Sequence, residues 1–190
     1  MEENRDEKSA RPAPAGGDER RQHLLALLRQ TDGPLRGSEL AARLAVSRQV
    51  IVQDVAVLRA GGAGIIATPM GYVLPRPTSG QRHAAVVACR HGRAEVEDEL
   101  NALVDLGVEV VDVVVEHPVY GEIRALLMLT SREDVRQFMR RLDEGQAQLL
   151  SALTGGVHLH TIVAPRPEAL EKARRALGER GYLLPGGDPK

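Results

Sequence analysis

Ser47-Arg48-Gln49-Val50-Ile51-Val52-Gln53-Asp54-Val55-Ala56-Val57-Leu58-Arg59-Ala60 is the stretch that decides the fold of the N-terminal third. Ser47 is a good helix cap, and Ile51, Val55 and Leu58 recur at i, i+4 and i+7, so they turn inward while Gln49, Gln53 and Ala56 occupy the opposite face. That outer face is polar yet almost uncharged at its centre. Upstream, Leu40, Ala41 and Leu44 mark a short helix with Ser38 as its expected cap, and Leu24, Leu27 and Leu28 mark an earlier one ended by Asp32-Gly33-Pro34. Downstream, Gly61-Gly62 stops the long helix. Ile65-Ile66-Ala67 and Tyr72-Val73-Leu74 then read as a hairpin around Thr68-Pro69-Met70-Gly71. Three helices and a hairpin make a winged helix-turn-helix, expected over residues 19–75.

The rest of the chain frames this module. Its 190 residues, 43% of them hydrophobic, suffice for two small domains. Residues 1–18, rich in charge, Pro and Gly, are expected to be a disordered tail, and residues 76–81 a linker that leads to a second domain over 82–186. The net charge is −1, but residues 20–76 hold eight basic and three acidic groups, the only basic block in the chain. Such a block favours duplex DNA as partner. Aromatic residues at 2% are too few for the stacking platforms that hold single strands. The lone Cys89 excludes an intrachain disulfide, no apolar run approaches membrane-spanning length, and no leader pattern is seen, so a cytoplasmic protein is expected.

On such a module Gln49 and Gln53 can pair bidentately with adenine edges in a major groove, with Arg48 and Arg59 near phosphates and Ser47 contacting the backbone. The alternative is a winged helix that binds protein. Arg21 to Leu74, with the Ser47–Asp54 run and the Ala67–Tyr72 wing, resembles the winged helices of biotin-operon-type bacterial repressors, which implies a regulator but no particular ligand.

From His83 onward the pattern reads as strand (82–90), helix (94–106), strands (108–116, 121–129), helix (132–145), strand (157–164), helix (167–180) and a short Tyr182-Leu183-Leu184 strand. This is an α+β layer structure, an open-faced sandwich with a sheet covered on one side. Five of the six histidines fall here: His83, His91, His117, His158 and His160. His158 and His160, two apart on a strand, point to one face, a common geometry for a transition-metal ligand pair; two solvent-facing strand histidines are the plainer alternative. His91 ends a strand just before a helix whose second turn carries Glu99, and helical side chains lean back toward the N-terminus, so Glu99 can reach His91. Glu99 also belongs to the run Glu95, Glu97, Asp98, Glu99, which by composition reads as a solvated face. Three imidazoles and a carboxylate together suit nickel, iron or zinc, with positions left open. Glu116-His117-Pro118-Val119-Tyr120-Gly121-Glu122-Ile123 is more polar than a plain hairpin needs and is expected to wall an effector pocket, with His117, Tyr120 and Glu122 as its binding groups.

His91 with Glu99, the Glu116–Ile123 block and Gly155-Gly156-Val157-His158-Leu159-His160-Thr161 resemble the signature of the 3H domain. Joined to a biotin-operon-type winged helix, they make the chain similar to the niacin-responsive repressors of bacteria. The resemblance implies a mainly antiparallel HPr-like sheet, a homodimer on double-stranded operator DNA, nicotinic acid as co-repressor, and control of NAD salvage and niacin-uptake genes. It also implies nickel or a similar ion on His91, Glu99, His158 and His160. Two rival readings are a metal sensor, in which nickel or zinc is itself the signal, and a metalloenzyme. The second has no separate nucleophile, general base or substrate cleft in the sequence, so no enzyme is expected.

Overall fold

The computed structural model describes residues 16–75 and 82–185, so most of the expected tail and the whole expected linker lie outside the described residues. Among the described residues the chain divides into two compact units, one of residues 16–66 and 71–75 and the other of residues 67–70 and 82–185.

Residues 16–75 form α1 (Gly17–Gln30), α2 (Gly37–Arg43), α3 (Arg48–Ala60), β1 (Ile66–Thr68) and β2 (Gly71–Val73), with the helices and β2 in the first unit. Its core is a single cluster that includes Leu24, Leu28, Leu40, Leu44, Ile51 and Val55. Each such side chain contributes about 1.5–3 kcal/mol on burial. α1 begins at Gly17, so Gly17 and Asp18 are helix rather than tail; Asp18 and Glu19 in its first turn sit where the helix dipole favours negative charge. Ser38 does not cap α2, because the helix starts two residues earlier than such a cap implies, with Arg36 at the cap position. Ser47 does cap α3, its hydroxyl accepting from the Val50 N–H at 3.3 Å. The wing is held by a two-way backbone exchange between Leu35 and Tyr72, at 2.9 and 2.8 Å. That approach requires glycine at 71, where φ is +138° and a Cβ would lie 2.3 Å from the Leu35 carbonyl oxygen.

The second unit runs β3 (His83–Arg90), α4 (Val96–Val104), β4 (Glu109–His117), β5 (Gly121–Leu129), α5 (Arg132–Glu144), β6 (Val157–Ala164) and α6 (Pro167–Glu179), with 3₁₀ turns at Arg93–Glu95 and Leu150–Thr154. Ser131 and Asp134 form a reciprocal capping box on α5, and Pro167 opens α6. The four strands lie in the order β3-β6-β4-β5, all antiparallel. Tyr182–Leu184 forms no strand, only a bridge from Leu183 to Cys89.

One face of this sheet packs against Val96, Leu100 and Leu103 of α4, Val135 of α5 and Leu170 and Leu177 of α6. The other face exposes Val86, Val157 and Leu159. This is the α+β open-faced sandwich with a mainly antiparallel sheet read from the sequence. Its decisive topological feature is β6, late in the chain but central in the sheet. Cys89 lies opposite His158 and Val87 opposite His160, so alternation turns both histidines into the buried layer beneath the helices.

Candidate functional site

On the first unit, the five residues expected to meet DNA are all exposed: Ser47, Arg48, Gln49, Gln53 and Arg59. Gln49 and Gln53 stand one turn apart on the outer face of α3, while Ile51, Asp54 and Val55 are buried beneath it. Asp54 is a residue the sequence reading passed over. It lies on the inward face of α3, 2% exposed, and accepts from Arg20 Nε at 2.6 Å and Nη2 at 3.0 Å, with Arg21 at 3.4 Å. The hydrogen bond from Arg20 holds the Asp54 carboxyl below its usual range against the opposing effect of burial. Part of the local basic excess therefore acts inside the module: Arg20 and Arg21 neutralise Asp54. The signal was present in the Ile51-Asp54-Val55-Leu58 period and the Arg20-Arg21 pair.

In the second unit the structure brings His91, Glu99, His158 and His160 together. One oxygen, Glu99 Oε2, is approached by His91 Nε2 at 2.6 Å, His158 Nε2 at 3.4 Å and His160 Nε2 at 3.5 Å. Glu99 is 1% exposed, so it belongs to the inward face of α4 and departs from the solvated run in which it stands. The three rings are aimed from behind. His91 Nδ1 faces the Gly92 carbonyl at 2.9 Å, His158 Nδ1 the Gly156 carbonyl at 2.9 Å, and His160 Nδ1 the Asp112 carbonyl at 2.5 Å. Carbonyl oxygens only accept, so each Nδ1 carries a hydrogen, and in the neutral ring each Nε2 presents a lone pair toward the site.

Two local devices make this possible. Gly156, at φ +90°, lets the start of β6 approach His91 so closely that a Cβ would lie 2.5 Å from the His91 carbonyl oxygen. An irregularity in the β4–β5 register between Val110 and Asp112 accompanies full burial of Asp112, whose Oδ1 accepts from the Thr161 N–H at 2.9 Å.

Three Nε2 lone pairs facing a carboxylate oxygen repel one another unless positive charge lies among them, as protons on the rings or as a bound cation. The electrostatics carry that demand. Burial opposes charge on His91 and His160, yet Glu99 outweighs it and raises both; burial likewise opposes charge on Glu99, yet the three imidazoles hold its carboxyl well below the usual range. Glu99 Oε1 is buried and without a hydrogen-bond partner. A borderline-soft divalent ion fits this donor set. The structure adds a residue the sequence reading did not nominate: among the described residues, Cys89, Glu99 and His158 form a group whose donor atoms all lie within 4.8 Å of one another. Its signal was the alternation that puts Cys89 and His91 on the same side of β3.

Comparison with known proteins matches this layout. Residues 84–186 match the 3H domain family model and residues 20–73 an HTH domain model. The probable transcription repressor NiaR of Thermotoga maritima is 44% identical over 169 residues, spanning 89% of this chain and 95% of that protein. The transcription repressor NadR of Bacillus subtilis is 44% identical over 170 residues, 88% of this chain and 94% of the relative. The chain belongs to the niacin-responsive transcriptional repressor family. It is a DNA-binding repressor built from an N-terminal helix-turn-helix and a 3H domain. Among its described residues no helix is long and apolar enough to cross a membrane.

In this repressor the expected effector residues do not converge as one pocket wall. His117 and Tyr120 stack with ring centroids 5.0 Å apart, and His117 Nδ1 accepts from the Val119 and Tyr120 N–H groups at 3.2 and 3.3 Å. Tyr120 is 77% exposed. Glu122 lies one residue out of phase with His117's partner Gly121, so alternation turns it to the other sheet face, where Arg124 lies 3.6 Å away. Several concavities adjoin the histidine cluster. A cavity of about 190 Å³ adjoins His91, Glu99, His158 and His160 and is walled by apolar groups such as Leu127 and Phe138. An open cleft of about 820 Å³ on the solvent side of His91 includes Arg90, Arg93 and Gln148. Glu122, with Glu116, Pro118 and Gly121 of the same block, lines a further cavity of about 690 Å³ that reaches His158, whereas His117 and Tyr120 line none of the three. The sequence placed three polar residues in one loop; the strand pleat separates Glu122 from the stacked His117 and Tyr120.

Proposed function

We propose that this repressor is a niacin-responsive regulator of NAD salvage and niacin-uptake genes. As a homodimer it would bind operator duplex with nicotinic acid as co-repressor and a divalent transition metal on His91, Glu99, His158 and His160. The observation that carries the reading is the convergence of three imidazole Nε2 atoms on one buried carboxylate oxygen beside a small, largely apolar cavity. A bound ion would supply open Lewis-acid positions suited to a carboxylate or a pyridine nitrogen. The protein's own part is positional: carbonyls behind each ring fix the donors, apolar walls favour a flat heteroaromatic ring, and Arg90 gives the adjoining cleft a cation for an anionic ligand. The exposed Val86, Val157 and Leu159 on the open sheet face support the homodimer, since an apolar strip of this kind gains from a partner. Two winged helices related by a dyad would place Gln49 and Gln53 in major grooves about one helical turn apart, with Ser47, Arg48 and Arg59 on the backbone. His117 and Tyr120 then act at the rim of the domain, and Glu122 in the cavity that reaches His158.

Coupling requires nicotinic acid to prefer the DNA-competent dimer, and a hundredfold preference corresponds to about 2.7 kcal/mol. Calorimetric titration of nicotinic acid into metal-loaded and chelator-stripped protein tests the reading. Saturable binding that weakens on stripping is expected. Absence of binding to the loaded protein would remove niacin as the direct effector and leave metal itself as the signal.

A further inference from the structure

We propose that Cys89 is an additional donor to the metal site, giving this chain a site of three imidazoles, a carboxylate and a thiolate. The inference rests on reading His91, Glu99, His158 and His160 as metal-holding residues. Cys89 ends the inward row of β3, directly opposite His158 in the sheet, and is fully buried. Its sulfur, a Glu99 oxygen and a His158 nitrogen lie mutually within 4.8 Å. Donors at about 2.0–2.3 Å from a common ion lie at most about 4.6 Å apart, so these three need to move by only a few tenths of an ångström to share one. The second observation is independent of the thiol: Glu99 Oε1 is buried with no hydrogen-bond partner, so the carboxylate keeps an unused acceptor inside the cluster.

The charge balance is simple. When a divalent ion binds, the S–H bond breaks, the proton leaves to solvent, and a sulfur lone pair bonds the ion with no change of oxidation state. A thiolate draws the site toward thiophilic ions such as zinc and cobalt more strongly than an oxygen- and imidazole-only set would. Cys89 would thus act as a specificity-determining residue for the metal.

Cobalt(II) added to the full chain under reducing conditions is the probe. The expected result is one equivalent bound with an intense near-ultraviolet thiolate-to-cobalt band. In Cys89→Ser and Cys89→Ala the band disappears and affinity falls on the order of a hundredfold, while binding by the other four residues persists. Wild-type protein that binds cobalt through histidine without that band would overturn the Cys89 assignment and leave the four-residue site standing. Protein that binds no cobalt would overturn both. Because the band is read first in the wild type, a variant that failed to fold would not decide the question.

Discussion

Asp54 in the winged helix and Glu99 in the 3H domain are two carboxylates at 2% and 1% exposure, and they are satisfied in opposite ways. Asp54 meets a guanidinium fork, with both of its oxygens accepting hydrogen bonds. Glu99 meets three imidazole rings on one oxygen and nothing on the other. Arginine is permanently charged, so the first pair is complete within the module and serves stability. Imidazoles can exchange protons for a metal ion, so the second constellation can take a ligand. The comparison teaches that a buried acid marks a site when its partners can change state.

The largest expected effect is on the closed pair. Asp54→Ala leaves Arg20 facing a buried gap and should cost about 2–3 kcal/mol of winged-helix stability, read by denaturant unfolding. A change under 0.5 kcal/mol would show the pair to be dispensable. Its pH dependence has a defined sign. The folded carboxyl is held below its unfolded value of about 3.9, so its stabilising contribution is present above that pH and is lost as pH falls through the lower, folded value. In Asp54→Asn that acid limb should be missing from the unfolding profile.

The open constellation breaks differently. Metal at about a hundred times its dissociation constant should stabilise the 3H domain by about 2.7 kcal/mol, seen as a rise in Tm that a chelator reverses. Glu99→Gln should abolish most of that rise. An unchanged metal-induced shift would remove Glu99 from the ligand set and return it to the role Asp54 plays.

Smaller effects test the outer face of α3. Gln49→Ala or Gln53→Ala should weaken specific operator binding by about 1–2 kcal/mol and leave stability within about 0.5 kcal/mol. Equal losses on operator and random DNA would contradict base reading. The smallest effect separates arginines that face water from those consumed inside. Arg59→Ala should reduce the salt dependence of DNA binding by about one counterion, whereas Arg20→Ala should alter stability and leave that slope unchanged.

Much of this was legible before any coordinates. The helical period of Ile51, Val55 and Leu58 and the Ser47 cap determine α3, because both depend on residues within two turns of one another. The His158-x-His160 spacing determines that the two rings share a face, because the pleat repeats every two residues. Pro167 and the Ser131–Asp134 box act on the same neighbour scale as helix starts. Reading on that scale was less secure at ends, as Gly17 and Ser38 show, where one turn of backbone can extend or slip at little cost.

What only the tertiary structure decided is which distant side chains meet. Sequence alone determined that this chain carries a helix-turn-helix module and a histidine-rich α+β domain. It did not determine that Arg20 would quench Asp54, that Glu99 would turn inward out of an acidic run, that Cys89 would join the histidines, or that Glu122 would face away from His117. The first depends on the placement of α1 against α3 and the next two on β6 lying between β3 and β4, contacts made across dozens of residues, while the last follows from the register of the β4–β5 pair. Local periodicity sets the direction of a side chain relative to its own element. Burial of the apolar faces sets where the elements lie, and so which charges must be satisfied together.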